Sequence, residues 1–361
     1  MTALAKGLAG SFVVRLEVES GDRMPGLLKL DRAQILAFRR RTQSLDARLA
    51  MSASALRRAA WAGLQDSMPR AAVLSIHARV AGTTPDILDH AALTQVWGPR
   101  FSAFAVPEVD APLFTVARYP DDKRGRKVAE DMASGMARVL GKRTMLDREV
   151  AAELGVGNGI RYGTTTGTIR IRWEGALAPK VWLVERPAIA PADARIELAR
   201  RFLHVFGPST AAAFGKWAGI GAPQATVAFK ALNTELIDVR TPIGEATLLA
   251  SDEATARARS AATALARFLP SGDTFFLYWG ADRELLVPDP KRRGELWTSR
   301  VWPGALLVDG EIAGVWRRAG SDVTVEPWRK FSAAERHAVE AEASTMPLPG
   351  LTRPIRVRSL D

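Results

Sequence analysis

Residues 53–80 read ASALRRAAWAGLQDSMPRAAVLSIHARV. Leu56, Ala59, Ala60 and Leu64 recur at helical spacing, and Ala72, Leu74, Ile76 and Val80 do so less regularly. Between the two apolar halves sits Gln65-Asp66-Ser67, closed by Met68-Pro69. Pro69 suits the first turn of a second helix, where a missing N–H costs nothing. The stretch predicts helix, turn, helix, with Arg57, Arg58, Arg70 and Arg79 around the turn. Three small polar side chains held rigidly amid arginines suit a site facing an anion. The same residues admit a plainer reading, with Ser67 as the N-cap of the second helix and Gln65 as the exposed end of the first.

Working outward, 361 residues exceed one ordinary core, so two to four domains are expected. An apolar fraction of 47% and a charged fraction of 25% are those of a globular protein, and no apolar run is long enough to span a bilayer. The start, MTALAKGLAGSFVVRLEVESGDRMPG, is short of an unbroken apolar core and a cleavage site. Residues 1–28 are expected to be a loosely ordered extension, with Met24 as a second candidate start. Zero cysteines exclude disulfides, thiolate zinc sites and thiol catalysis. His77, His90, His204 and His337 are scattered without metal-ligand spacing, so neither metal nor cofactor is expected. The default location is the cytoplasm, at the nucleoid.

The net charge of +11 and the pI near 10.4 favour a polyanionic partner, most often nucleic acid. From Met24 to Val80, ten Lys/Arg stand against three acids, a local net of +7. The plainer account is an Ala- and Arg-rich composition that places arginine on every surface. No basic helix carries a large bare apolar face, which disfavours a membrane surface. No heptad is present, and a monomer is assumed.

The rest of the chain repeats a unit. Lys29 to Leu49 reads as a helix capped by Asp31, and Pro85 to Trp97 as another short helix before a strand over Arg100 to Val106. Asp122 to Leu140, REVAAELG (148–155) and Ile160 to Thr166 read as helices, followed by a hairpin of Thr168–Trp173 and Val181–Val184. Ala192 to Val205, AAAFGKWAGI capped by Ser209 or Thr210, and Pro223 to Leu236 are helices again. Ile237–Val239 and Ala246–Leu249 then flank a turn. Helix, helix–turn–helix and hairpin are the winged-helix plan. Beyond residue 267, strands dominate: Phe275–Trp279, Glu284–Val287, Gly304–Val308 and Glu311–Trp316, the last pair joined by Asp309-Gly310. Ser332 and Glu335 form a capping box for a final helix. The expected fold is α+β: winged helices over 29–118, 119–190 and 191–266, then a mostly-β domain with a terminal helix over 267–361.

Six ordered blocks carry a resemblance: GLQDSMPRAAVLSIHARV (63–80), WGPRFSAFAVP (97–107), YGTTTGTIRIRWEGALAPKVWLVE (162–185), RFLHVFGPSTAAAFGKWAGI (201–220), RFLPSGDTFFLYWGADRELLVP (267–288) and ALLVDGEIAGVWRR (305–318). They resemble the winged-helix DNA-binding family that contains the AlkZ/YcaQ-type DNA glycosylases. The resemblance implies tandem winged helices around a basic channel for duplex DNA, and metal-independent excision of bulky or crosslinked alkylpurines. Characterised members carry Gln-x-Gln or Gln-x-Asp on the opening turn; here Gln65 fills the first place and Ser67 the second. Many carry Arg-Gly-Thr-x-His after a tryptophan; here Arg100-Phe-Ser-Ala-Phe104 follows Trp97.

Gln65 and Ser67 are thus the candidate water-holding pair. Neither is a good base near neutral pH, but a cationic alkylpurine leaves without a general acid. Asp66 is a third catalytic candidate, able to stabilise positive charge or deprotonate water if it faces the channel. Alternation along an extended turn points it away from 65 and 67, toward a structural role that includes pairing with Arg70. Candidate DNA contacts are Arg57, Arg58, Arg70, Arg100, Arg170, Arg172, Lys230 and Arg283. Arg170 and Arg172 share one face of a strand; Lys230 contacts phosphate or only solvates its helix; Arg283 contacts DNA or pairs with Asp282. Such contacts bind without reading sequence. Trp61, Trp97, Trp217 and Trp316 are expected in the core rather than as stacking wedges. The activity expected is hydrolysis of the N-glycosidic bond of alkylated or crosslinked purines in duplex DNA. The alternative is a non-catalytic DNA binder on the same fold, a transcriptional regulator or a lesion sensor.

Overall fold

A computed structural model describes residues 27–66, 68, 71–174, 178–259, 265–348, 350–351 and 353–358. Its hub is the Ala71–Arg79 helix, all nine residues of which are buried. Val73 and Ile76 enter one apolar cluster with Leu56, Leu64, Val80, Leu88 and Leu93. Leu74 leaves on another side to join Phe268, Leu306, Trp316 and Val325. A helix covered all round has no solvent face, which is why its apolar spacing is irregular in the sequence. The preceding helix stops at Ala59 rather than Leu64. Gly63, with φ +75°, turns the chain; a Cβ there would stand 2.9 Å from Phe114 Cε1. Leu64–Gln65 then adds an edge strand, so Gln65 lies on a sheet and not at a helix end.

That sheet has six antiparallel strands in the order 64–65, 103–107, 93–97, 169–172, 180–183 and 145–146. The helix expected over Pro85–Trp97 is one 3-10 turn, Ile87–Asp89, followed by the strand Leu93–Trp97. A short apolar run does not distinguish helix from buried strand, and pairing with Ala103–Pro107 decides it. The Ile169–Arg172/Lys180–Leu183 hairpin is joined to this sheet through Gln95 opposite Ile171. Gly157–Thr166 is a long 3-10 segment rather than an α-helix. It packs with Lys123–Leu140, which Asp122 caps, and Asp147–Leu154 around Met136, Leu140, Val150 and Ile160.

Downstream, Pro191–Phe206, Ala211–Ala218 and Ala222–Ala231 precede the Leu236–Thr241/Gly244–Leu249 hairpin, in the order expected. Leu28–Lys29 adds a parallel third strand to that hairpin. Phe202, Phe206, Phe214 and Trp217 pack here with Phe104 and Phe114 from upstream and Phe275 and Leu296 from downstream, making one cluster across the chain. The third sheet orders strands 266–269, 304–308, 311–319, 322–327 and 356–358, the last parallel to its neighbour. Asp309 and Gly310 make its tight turn with φ +50° and +78°, the geometry a two-residue hairpin loop demands. The strands expected at 275–279 and 284–287 are instead a 3-10 turn, Thr274–Phe276, and a short helix, Ala281–Leu286. Their apolar side chains fill the common core rather than lining a sheet face. Overall the fold is mixed α+β. None of its helices, among the described residues, is long and apolar enough to cross a membrane.

Candidate active site

Gln65 is half-buried at the end of its edge strand, opposite Phe104. The strand pair carrying Phe104 closes through Gly98–Ser102, where Arg100 and Phe101 both adopt left-handed φ of +57° and +58°. Two adjacent non-glycine residues in that region cost free energy that surrounding contacts must supply. Arg100 makes those contacts. Its Nη2 donates to Gln65 Oε1 at 2.8 Å, its Nη1 donates to the Trp217 carbonyl, and its guanidinium lies 4.8 Å from the Trp279 ring centroid. Trp217 belongs to the last turn of Ala211–Ala218, where unpaired carbonyls and the helix dipole favour a cation. Gly219 ends that helix at φ +71°, and a Cβ there would lie 2.9 Å from the Arg100 backbone nitrogen. Only glycine lets the hairpin tip lie this close.

Because arginine only donates, Gln65 must present Oε1 to Arg100, which fixes the amide's orientation. Its nitrogen then faces Gly272, whose φ of +75° and absent Cβ (3.2 Å from Gln65 Nε2 if present) let the 270–273 loop close on it. Asp273, the next residue, is fully buried and accepts from Ser75 Oγ at 2.6 Å and from both Arg79 terminal nitrogens at 2.8 Å. Arg79 therefore belongs to a buried ion pair behind the turn and not to a surface facing an anion, as its sequence position suggested.

Asp66 is buried at 4% exposure. Its Oδ1 accepts from Ala72 N at 2.9 Å, capping the hub helix, and its Oδ2 accepts from Gln95 Nε2 at 2.6 Å. Gln95 Oε1 in turn accepts from Trp173 N. The alternation of the turn thus holds for Asp66, which points inward. Ser67 and Arg70 lie outside the described residues.

Burial alone lowers the Arg100 guanidinium to about 10. Next to it, burial and the charge of Arg100 bring Arg118 down to about 9. Arg118 Nη1 donates to the Gly98 carbonyl at 2.6 Å, and its guanidinium sits 3.6 Å from the Phe101 ring centroid. Among the described residues neither arginine has a carboxylate in ion-pair range. Two cations held by carbonyls and rings alone leave the tip positive at neutral pH.

The other sequence candidates divide cleanly. Arg57 and Arg58 are exposed on Ala53–Ala59, beside Trp61 and His204. Lys230 is exposed on Ala222–Ala231. Arg170 is buried, 3.7 Å from Glu108, and Arg172 bonds the Leu88 carbonyl and pairs with Asp89 at 2.5 Å. Neither stands on a free hairpin face, because that strand lies inside the six-stranded sheet. Arg283 does not pair with Asp282, which pairs with Arg39; it donates to the Tyr278 carbonyl and lies against Trp297 and Trp302. Trp97, Trp217 and Trp316 are buried as expected, whereas Trp61 is 37% exposed with Arg201 stacked on it at 3.9 Å. Arg118, Gly272, Asp273 and Trp279 went unmarked in the sequence; none carries a local pattern, and each reaches the turn from a distant segment. No group of metal-ligating side chains is found among the described residues.

The model of the AlkZ-like DNA glycosylase family matches residues 56–346. This chain belongs to that family. An interstrand DNA cross-link repair glycosylase of Streptomyces sahachiroi is 25% identical over 173 residues, which is 46% of each chain. The match thus spans about half the length of that curated relative. The solved structure of Streptomyces sahachiroi DNA glycosylase AlkZ superposes with a TM-score of 0.74 at 17% identity, covering 92% of this chain and all of that one, a likeness of fold.

Proposed function

We propose that this AlkZ-like protein is a DNA glycosylase that hydrolyses the N-glycosidic bond of alkylated or crosslinked purines in duplex DNA. The observation that carries the proposal is the fixed amide of Gln65, held by Arg100 at a cationic hairpin tip. An N3- or N7-alkylated purine is already cationic. As water oxygen bonds to C1′, the C1′–N bond breaks, its electron pair neutralises the purine, and the water proton passes to solvent. The protein has to hold the water and exclude misplaced ones. Gln65 Oε1 keeps one lone pair free of Arg100 and accepts a water O–H. Ser67 is the proposed second water ligand. Asp66, with both oxygens engaged and buried, shapes the turn rather than taking the proton.

We read residues 29–118, 119–190 and 191–266 as winged-helix units, 267–361 as the closing domain, and the protein as a monomer on duplex DNA. Arg57, Arg58 and Lys230, exposed and without a carboxylate partner among the described residues, are the proposed phosphate contacts. The test is alkali cleavage of a labelled duplex carrying one N7-alkylguanine, with wild type and Gln65→Ala compared against the spontaneous rate. Cleavage above that rate, lost in Gln65→Ala with duplex binding retained, is expected. Full activity in the variant overturns the assignment, and tight salt-sensitive binding without cleavage by wild type replaces it with a non-catalytic binder.

A further inference from the structure

Trp61 is 37% exposed, where Trp97, Trp217 and Trp316 are buried. Arg201 backs its ring at 3.9 Å from the centroid. That arginine is itself 5% exposed and paired with Asp110 and Glu197, so it supports the indole from inside and offers no free charge. An indole fixed in this way and open to solvent is a stacking platform for another flat ring.

Trp61 walls an open cleft of about 360 Å³ with Thr42, Ser54, Arg57, Arg58 and His204. Gln65, Arg100 and Gly272 are not in its lining, and neither is any carboxylate among the described residues. Arg57 and Arg58 lie exposed in the last turn of Ala53–Ala59. His204 comes from Pro191–Phe206, and its Nδ1 stands 3.0 Å from both oxygens of Asp252, whose side chain is 10% exposed. A carboxylate only accepts, so Asp252 fixes Nδ1 as the N–H and turns Nε2 away from itself, as the nitrogen left for the cleft. In the protonated ring that nitrogen donates to an anionic oxygen. A ring platform, two guanidinium forks that match phosphate oxygens and an oriented imidazole are together the complement of one nucleotide. The volume, at the lower end of ligand sites of roughly 300–1,000 Å³, suits a single such unit. Bases inside a duplex are already stacked and paired, so Trp61 finds a ring to hold only where a strand is unpaired.

We propose that this cleft is a second nucleic-acid site, which takes one nucleotide of single-stranded DNA, as in an overhang or a gap, with its base on Trp61 and its phosphate between Arg57, Arg58 and His204. It requires nothing of the glycosylase reading of Gln65. The test is anisotropy of a labelled tetrathymidylate titrated with the full chain, with thymidine 5′-monophosphate, thymidine and inorganic phosphate as competitors and an undamaged blunt duplex measured in parallel. The tetramer is expected to bind saturably and more tightly than the monophosphate, which in turn competes better than thymidine or phosphate alone. Trp61→Leu should weaken the tetramer by about tenfold or more, the worth of one stacked base, and leave duplex binding unchanged. His204→Gln should weaken the tetramer severalfold, and Arg57→Ala/Arg58→Ala should weaken tetramer and duplex alike. If Trp61→Leu does not fold, His204→Gln, which keeps a donor for Asp252, and the arginine pair, changed only at exposed positions, carry the test. Gln65→Ala is expected to bind the tetramer as wild type does. A tetramer that no cleft variant weakens, or equal losses for tetramer and duplex in Trp61→Leu, overturns the site, and so does loss of tetramer binding in Gln65→Ala. A monophosphate that binds as tightly as the tetramer overturns the single-strand assignment in favour of a free nucleotide. Cleft-dependent tetramer binding without base release from the N7-alkylguanine duplex sinks the glycosylase reading and leaves this site standing.

Discussion

Arg79 and Arg100 are both tied to the surroundings of Gln65, Arg100 directly and Arg79 through Asp273 next to Gly272, and have opposite environments. Arg79 is 1% exposed and meets Asp273, Ser75 and Gln43, so every donor it directs inward finds an acceptor and its charge finds an anion. Arg100 meets a glutamine oxygen, a carbonyl and an aromatic ring, and no carboxylate among the described residues. The first arrangement fixes a fold: both charges are neutralised and nothing is left to recruit. The second leaves positive charge beside half-buried Gln65, on a hairpin tip with two left-handed residues. A compensated cation is structural and an uncompensated one is available, which sequence position alone does not reveal, since both are arginines near Gln65.

The largest effect should come from breaking the compensated side. Asp273→Ala strands Arg79 in a dry interior and is expected to lower stability by about 3–5 kcal/mol, read as a shift in the urea midpoint at constant slope. The paired replacement Arg79→Met/Asp273→Leu should recover most of that loss, because it removes both charges together. A small change in Asp273→Ala would show that water reaches the pair.

Next in size is the acid response of the same buried side. His77, on the hub helix, is lowered from 6.5 to about 3, chiefly by burial and then by Arg48 and Arg267. Arg48 Nη2 lies 3.1 Å from His77 Nε2 and can only donate, so that nitrogen is unprotonated. Between those two values the unfolded chain binds a proton that the folded protein refuses. Stability from this residue is therefore complete above pH 6.5 and is lost as pH falls toward 3, by a few kcal/mol. His77→Gln should flatten that part of the pH–stability curve, and an unchanged curve would place the acid sensitivity elsewhere.

On the uncompensated side the effect moves from stability to rate. Arg100→Met removes the donor that orients Gln65 while keeping much of the stacking on Trp279. Base release by the folded protein is expected to fall on the order of 10²-fold, as a misplaced catalytic group would produce, with a lower unfolding temperature as well, because the contacts that hold the strained tip are lost. A loss expressed only as a raised KM, with kcat unchanged, would instead make Arg100 a binding residue.

How far the sequence foretells this contrast depends on the range of the interactions. Local chemistry was legible: Asp31 and Ser332 cap the helices they announce, Asp309-Gly310 makes its hairpin, and the helix order over 191–231 is as read. Gln65 and Ser67 stood out as polar residues interrupting apolar periodicity, and Asp66 turned inward as alternation requires. Short apolar runs were not legible. LTQVW became a strand and FFLYW an irregular segment, because partners far along the chain decide which surface they cover. The partners of the site were least legible of all: Arg100 reaches Gln65 across 35 residues and Asp273 reaches Arg79 across 194. Spacing rules carry no information at those separations.

The smallest expected effect tests the same distinction among surface arginines. Arg57 and Arg172 both looked like phosphate contacts, and the fold separates them: Arg57 is exposed without a carboxylate partner among the described residues, while Arg172 is bound to Asp89 and the Leu88 carbonyl. A lysine or arginine that neutralises a duplex phosphate releases counterions, and its loss reduces the slope of log affinity against log salt by roughly 0.9. Arg57→Ala should do this and weaken binding only severalfold, equally for all sequences. Arg172→Ala should leave the slope intact, because its charge is already spent on Asp89. Equal slope changes in the two variants would mean that duplex binding pulls Arg172 out of its ion pair, and that compensation in the free protein does not decide which arginines meet DNA.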